Sequence, residues 1–194
     1  MKEYASFNLE TEIDKNELDK IIIEAKNGNE EAFEKLCRFV YGRIYSYVFY
    51  RVKHKEDAED LTSEVVLKIV RALKNQKGNF LAWIYKIAAN SLIDFYRHRK
   101  VAQEISYDDL SQESIGSKGV SPNDVLMHDK LKDALTHLTK EQADVITFRF
   151  IQELDNEEIA KIMGKSIGSV KVLQFRALRS LREYFKKKGY ETKD

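Results

Sequence analysis

A chain of 194 residues with a single proline, Pro122, has almost no position at which helix is forbidden. Strictly alternating β-branched runs are scarce, while apolar residues recur at three- and four-residue steps along most of the length. Both features predict an all-α fold. The hydrophobic content of 43% is enough for real cores, and the length suits one compact domain or two small ones.

Caps and periodicity divide the chain. Asp14 with Glu17 resembles a capping box ahead of Leu18, Ile21, Ile22 and Ala25, and Gly28 is a fitting stop. From Glu30 to Val52 the set Phe33, Leu36, Val40, Ile44, Tyr47 and Val48 marks one apolar face, with Gly42 as the weak point. Asp57 to Leu73 opens on acids and closes on Lys68, Arg71 and Lys74, as the helix dipole favours. The polar stretch Asn75–Asn79 turns the chain into a fourth helix, Phe80 to about Arg99, on which Leu81, Ile84, Ala88, Leu92 and Phe95 share a face. Periodicity then fails from Val101 to Ser121, where Ser, Asp, Gln and Gly accumulate in a flexible acidic linker. Ser121-Pro122 restarts helix, which runs to about His137. Thr139 and Gln142 cap a sixth helix carrying Ala143, Ile146, Thr147 and Phe150, and Asp155 with Glu158 starts a short seventh. The expected organisation is a tail over 1–14, a helical domain over 15–100, a linker over 101–121, a second helical domain over 122–188 and a tail over 189–194.

Charge is informative only through its distribution, because 33 Lys and Arg nearly cancel 32 Asp and Glu. Lys165, Lys171, Arg176, Arg179, Arg182 and Lys186–Lys188 face one acid, Glu183, whereas Glu104 to Asp133 is rich in acids. Lone Cys37 excludes an internal disulfide and offers no zinc cluster, so no metal or other cofactor is expected. The polar N-terminus has no signal core, and no run approaches a membrane span; a cytoplasmic protein without membrane insertion is expected. HExxH, GxSxG and GxGxxG patterns are missing, and none of the four histidines has an acid three residues before it. Gly164-Lys165-Ser166 is no phosphate loop, since Ile159 stands where that motif needs glycine. No enzyme is expected.

The most informative local pattern follows Asp155. Ala160 is small enough for two helices to cross over it, Gly164 permits a tight turn, and Ile159, Met163, Val170 and Leu173 fill the wedge between them. This predicts a helix-turn-helix whose second helix, Ser166–Arg182, enters the DNA major groove. Ser169, Lys171, Val172 and Gln174 are assigned to base readout, with Phe175 beside them, and Arg176 and Arg179 to phosphates. An ordinary helical hairpin with a basic solvated face is the alternative.

The first domain has two unusual surfaces. The stretch from Asp57 to Glu64 concentrates acids at a helix start, with Asp60 and Glu64 on one face, either as partners for the dipole or as contacts for a basic protein. Trp83, Asn90 and Arg97 line up at seven-residue steps, with Lys86 close by and Tyr85 and Tyr96 flanking, a platform suited to unstacked bases if the aromatics are not simply core.

Four ordered stretches, DAEDLTSEVVLKIVRAL (57–73), FLAWIYKIAANSLIDFYRHRK (80–100), LTKEQADVITFRFIQELDNEEIAKIMG (138–164) and the GSVK and FRAL run (168–178), resemble the extracytoplasmic-function sigma factors of bacterial RNA polymerase. The resemblance covers about residues 15 to 188. It implies a region 2 domain that grips the polymerase clamp through Asp57, Asp60, Ser63 and Glu64 and melts the minus-10 element. Asn90 matches a position that holds a flipped base, and the loop Asn75–Phe80 resembles the segment shaping that pocket, with Trp83, Lys86 and Arg97 nearby. It implies a region 4 domain that reads the minus-35 element and contacts the flap, and an anti-sigma partner that holds both domains inactive. Ser63 stands where larger sigma factors often carry glutamine, and Val172-Leu173 replaces a frequent Ser-Arg, so Val172 is expected against a thymine methyl and Leu173 in the core. A stand-alone helix-turn-helix regulator is the other reading of the same residues.

Overall fold

The computed structural model describes residues 13–52, 54–105 and 130–189, and among these every regular element is helical. Helix α1 (Lys15–Lys26) begins where the Asp14 carboxylate accepts from the Asn16 and Glu17 amides at 2.8 and 2.9 Å. The Asn29 side chain caps α2 (Glu30–Phe49) by accepting from the Ala32 amide at 3.0 Å. Helix α3 (Lys55–Ala72) tightens into a 3-10 turn at Leu73–Asn75 before the chain reverses into α4 (Phe80–Ile105). These four helices surround Leu36, Val40, Ile44, Val48, Ile84, Ala88 and Leu92, buried as their spacing predicts, together with Phe39, Ala58, Leu61, Val65 and Ile69. Helix α4 continues five residues into the stretch expected to be linker, because no glycine or proline stops it after Arg99. The rest of that linker, and the Ser121-Pro122 start, lie outside the described residues.

In the second domain, helical residues 130–136 (α5) lead to α6 (Lys140–Ile146), whose Thr139–Gln142 capping box is complete in both directions. The chain then widens into a π turn, Thr147–Ile151, with the Gln152 amide donating to the Thr147 carbonyl at 3.0 Å. This corrects one expectation. An α-helical period groups Phe150 with Ala143, Ile146 and Thr147, but the extra residue per turn carries it to the surface at 58% exposure and turns Phe148 inward. Helices α7 (Asn156–Met163) and α8 (Ile167–Lys187) complete the domain.

The domains are not held by the linker alone. Phe148 lies flat on Tyr47 of α2, with ring centroids 5.4 Å apart and planes 9° apart, and meets Tyr85 of α4 edge-on at 4.9 Å. Asp144 accepts from the Tyr47 hydroxyl at 2.9 Å and from Arg51 Nη2 at 2.6 Å, and the Arg51 guanidinium covers the Tyr47 ring at 4.0 Å. Gln152 does the same eight residues further on. Its Oε1 accepts from the Tyr85 hydroxyl at 2.7 Å, its carbonyl from Arg43 Nη1 at 2.8 Å, and Lys132 of α5 sits 4.2 Å from the centre of the Phe49 ring. Burial pushes the Tyr85 phenol up to about 12 and the Tyr47 phenol higher still, so both remain neutral donors in this join. Tyr85, expected to flank a base-stacking platform, is instead buried beneath the second domain.

Candidate nucleic-acid and polymerase interfaces

Helix α8 is aimed by its start. Asp155 and Glu158 form a reciprocal capping box on α7, and Gly164 closes that helix at φ +63°, a left-handed turn suited to glycine. Ser166 then caps α8 by accepting from the Ser169 amide at 3.1 Å, a contact worth about 1 kcal/mol. Ile159, Ala160 and Val170 are buried between the two helices, with Met163 and Leu173 packed against them. The outer face carries Lys171, Val172, Phe175, Arg176 and Arg179, with Phe175 at 70% and Val172 at 49% exposure. A helix that leaves apolar groups this bare between cations offers methyl contact and phosphate contact on one surface. Three assigned residues are already engaged. The Ser169 hydroxyl is 2.9 Å from that of Ser166, and Gln174 Nε2 donates to the Asn156 side chain at 2.7 Å, tying α8 to the start of α7. Arg179 pairs with Glu183 at 3.1 Å on the exposed surface, a contact that DNA phosphates can readily displace.

In the first domain, Asp60, Ser63 and Glu64 are exposed on α3 and Asp57 is half-buried at its start. Asp57 pairs with Arg99 of α4 at 2.7 Å and Glu64 with Lys68 at 2.6 Å, while the Ser63 hydroxyl donates to the Glu59 carbonyl at 2.9 Å. Lys68 also donates to the buried Ser91 hydroxyl at 3.0 Å, which links the acidic helix to α4 beside Asn90. Asn90, Lys86 and Arg97 are exposed on α4, Arg97 with Asp94 at 3.0 Å. Trp83 is half-buried, packs against the core and lies 5.9 Å from the Phe80 ring, so it stands between core and surface.

The turn before α4 is more ordered than its polar composition suggests. Lys74, Asn75, Lys77, Gly78 and Asn79 are exposed, but Gln76 among them is 7% exposed and its amide, carbonyl and side chain are all hydrogen-bonded. Sequence reasoning included Gln76 only as part of the loop Asn75–Phe80 and missed its partner Lys26, which nothing local distinguishes. It missed Arg51, Asp144 and Gln152 too, although an aspartate set within the apolar run Ala143–Ile146 is a legible signal, because an acid inside a buried stretch needs a partner. Among the described residues no group of His, Cys, Asp and Glu could hold a metal ion, and no helix is long and apolar enough to cross a membrane.

Two family models match in order along the chain: sigma-70 region 2 over residues 33–102 and sigma-70, region 4 over 128–181. The chain is 34% identical over 167 residues to the ECF RNA polymerase sigma factor BldN of Streptomyces coelicolor, covering 84% of this chain and 63% of that protein. It is 30% identical over 168 residues to the RNA polymerase sigma factor YlaC of Bacillus subtilis, covering 84% and 97%. The chain belongs to the ECF sigma-factor family. A solved sigma factor, RpoE from Bartonella quintana in complex with the anti-sigma factor NepR, shares its fold with a TM-score of 0.62 at 22% identity, covering 80% of this chain and 98% of that one. In this sigma factor the region 2 match spans α3 whole and nearly all of α2 and α4, and the region 4 match spans α6, α7 and α8 up to residue 181, before the last turns of α8. The unexpected join described above is therefore one between region 2 and region 4.

Proposed function

We propose that this sigma factor directs promoter-specific transcription initiation by a bacterial RNA polymerase and catalyses no covalent step itself. The observation that carries this reading is the display, on one chain, of two different nucleic-acid surfaces: the helix-turn-helix face of α8 and the amide-and-cation face of α4 with its preceding turn. The first suits duplex DNA. Arg176 and Arg179 suit phosphates, and Ser169, Lys171, Val172, Gln174 and Phe175 suit base edges of the minus-35 element. The second suits a melted strand: Asn90 can pair with the Watson–Crick edge of a base taken out of the stack, Lys86 and Arg97 with its phosphates, and Trp83 with the edge of the opened duplex. Unstacking costs a few kcal/mol, and binding of core polymerase through Asp57, Asp60, Ser63 and Glu64 supplies it.

Distance adds a step. Elements about 25 base pairs apart lie roughly 85 Å apart at about 3.4 Å per pair. A compact chain of this size is roughly 40 Å across. Region 4 thus has to leave region 2 before both elements are held at once. An anti-sigma partner that prevents this separation would silence the protein, in line with the sigma–anti-sigma complex whose fold it shares, and the site of action is the cytoplasm, where core polymerase works.

The test is transcription from a genomic promoter library with the purified chain and core polymerase. Initiation at a defined promoter set is expected; failure with every promoter would leave the stand-alone regulator reading. Replacing Asp60 and Glu64 together with alanine should weaken core binding by roughly tenfold or more, equivalent to about 1.4 kcal/mol or more, with the melting temperature nearly unchanged. Unaltered core affinity would remove those acids from the interface.

A further inference from the structure

The turn between α3 and α4 is held from outside by a residue that no sequence motif includes. Lys26, the last residue of α1, donates from Nζ to the Gln76 carbonyl at 2.8 Å and to its Oε1 at 2.6 Å, across fifty positions of sequence. Gln76 Nε2 donates onward to the Gly78 carbonyl at 2.9 Å, its backbone amide donates to the Leu73 carbonyl at 3.1 Å, and Gly78 takes φ +75°. At the far end the Asn79 side chain accepts from the Ala82 amide at 2.7 Å and starts α4. Gln76 thus acts as a buried post with all its polar atoms bonded, while its neighbours Lys74, Asn75 and Lys77 project into solvent.

Two cations and an amide on a rigid turn are chemically suited to one nucleotide: the cations to its phosphates, the amide to a base edge. A turn free to move would lose entropy on capturing a base, and a turn already fixed does not. We infer that Lys26 is a positioning residue for base selection in the melted strand, acting through Gln76 to fix the turn that displays Lys74, Asn75 and Lys77. This rests on the reading above that this end of region 2 meets single-stranded DNA. Lys26 touches no base in this scheme; both of its hydrogen bonds are spent on the turn.

A direct phosphate contact by Lys26 would have a different signature. It would lower affinity for every sequence equally and reduce the salt dependence by about one ion. A positioning role lowers discrimination at particular bases instead. The experiment selects randomised single-stranded DNA on holoenzyme assembled from core polymerase and the full chain, then compares base preferences position by position for wild type, Lys26→Met and Lys26→Arg. Lys26→Met keeps the aliphatic stem but removes the donors; Lys26→Arg can still donate to both Gln76 oxygens. Expected for Lys26→Met is a roughly tenfold loss of preference at one or two adjacent positions, with preferences elsewhere, core affinity and preference for duplex minus-35 sequences retained. Lys26→Arg should restore most of it. Gln76→Ala, which removes the side-chain part of the post but leaves Lys26 in place, should reproduce the Lys26→Met pattern. Unchanged preferences in Lys26→Met, a uniform loss at all positions, or no recovery in Lys26→Arg would each overturn the inference. Wild-type holoenzyme that selects no single-stranded sequence would overturn the underlying functional reading as well, and is distinguished by appearing before any variant is made.

Discussion

Replacing Asp144 with alanine would leave the Arg51 guanidinium against the Tyr47 ring with its carboxylate gone. Both side chains are only about one-tenth exposed, so water restores little of what is lost. Breaking a buried pair by removing one member costs about 3–5 kcal/mol, and the residual exposure puts the expected loss here at roughly 2–4 kcal/mol, read by urea denaturation of Asp144→Ala against wild type. Loss within error of zero would mean that Asp144 is solvated and the pair unimportant. At this scale the sequence was legible where a residue's role is local. Ser166, Asp155 and Thr139 cap the helices their spacing assigned to them, and Gly164 takes the left-handed turn. Gln174 was not legible in this way: its hydrogen bond to Asn156 depends on how α7 and α8 cross, which spacing alone leaves free.

Helix α6 and its π turn decide which of two phenylalanines matters for stability. Phe148 is buried between Tyr47 and Tyr85, whereas Phe150 faces solvent. Phe148→Ala should cost roughly 3–5 kcal/mol, and Phe150→Ala should stay within about 0.5 kcal/mol. Thermal melts of the two variants check this, and equal melting temperatures would contradict the inward turn of Phe148. A strict α-helical period predicts the opposite order, since it groups Phe150 with Ala143, Ile146 and Thr147. Elements whose period stays regular were read well: of the sets their spacing marked, α2 buries Leu36, Val40, Ile44, Tyr47 and Val48, and α4 buries Ile84, Ala88 and Leu92, with Phe33, Leu81 and Phe95 half-buried at the edges. The π turn inserts a residue into the period, and no residue type in Thr147–Ile151 announces it.

The two domains behave as one body while Phe148, Asp144 and Gln152 remain seated on region 2. A donor and acceptor dye at Lys35→Cys and Lys187→Cys, in a Cys37→Ala background, should report a compact free chain that extends by tens of ångströms when core polymerase and promoter DNA are added. An already extended free chain would contradict the docked arrangement. The join is also sensitive to alkali. The phenols of Tyr47 and Tyr85 are raised above their ordinary value by burial, so the docked state holds its protons longer than the open one. Their contribution should be complete below about pH 10 and fade as pH rises through about 12, seen as domain separation with the same dyes. The sequence indicated two domains but not their docking, since the partners Arg51 and Asp144 lie far apart in the chain and on different domains.

The order in which the ribosome delivers these parts gives the join a further consequence. Region 2 is complete once Ile105 has been made, but Phe148, Asp144 and Gln152 follow only after the next stretch has been synthesised, roughly 2 to 10 seconds later at about 5–20 residues per second. For that interval the Tyr47 and Tyr85 rings face water beside Arg51 and Arg43. The nascent domain therefore carries a temporary sticky face, which the trailing half of the same chain covers when it emerges.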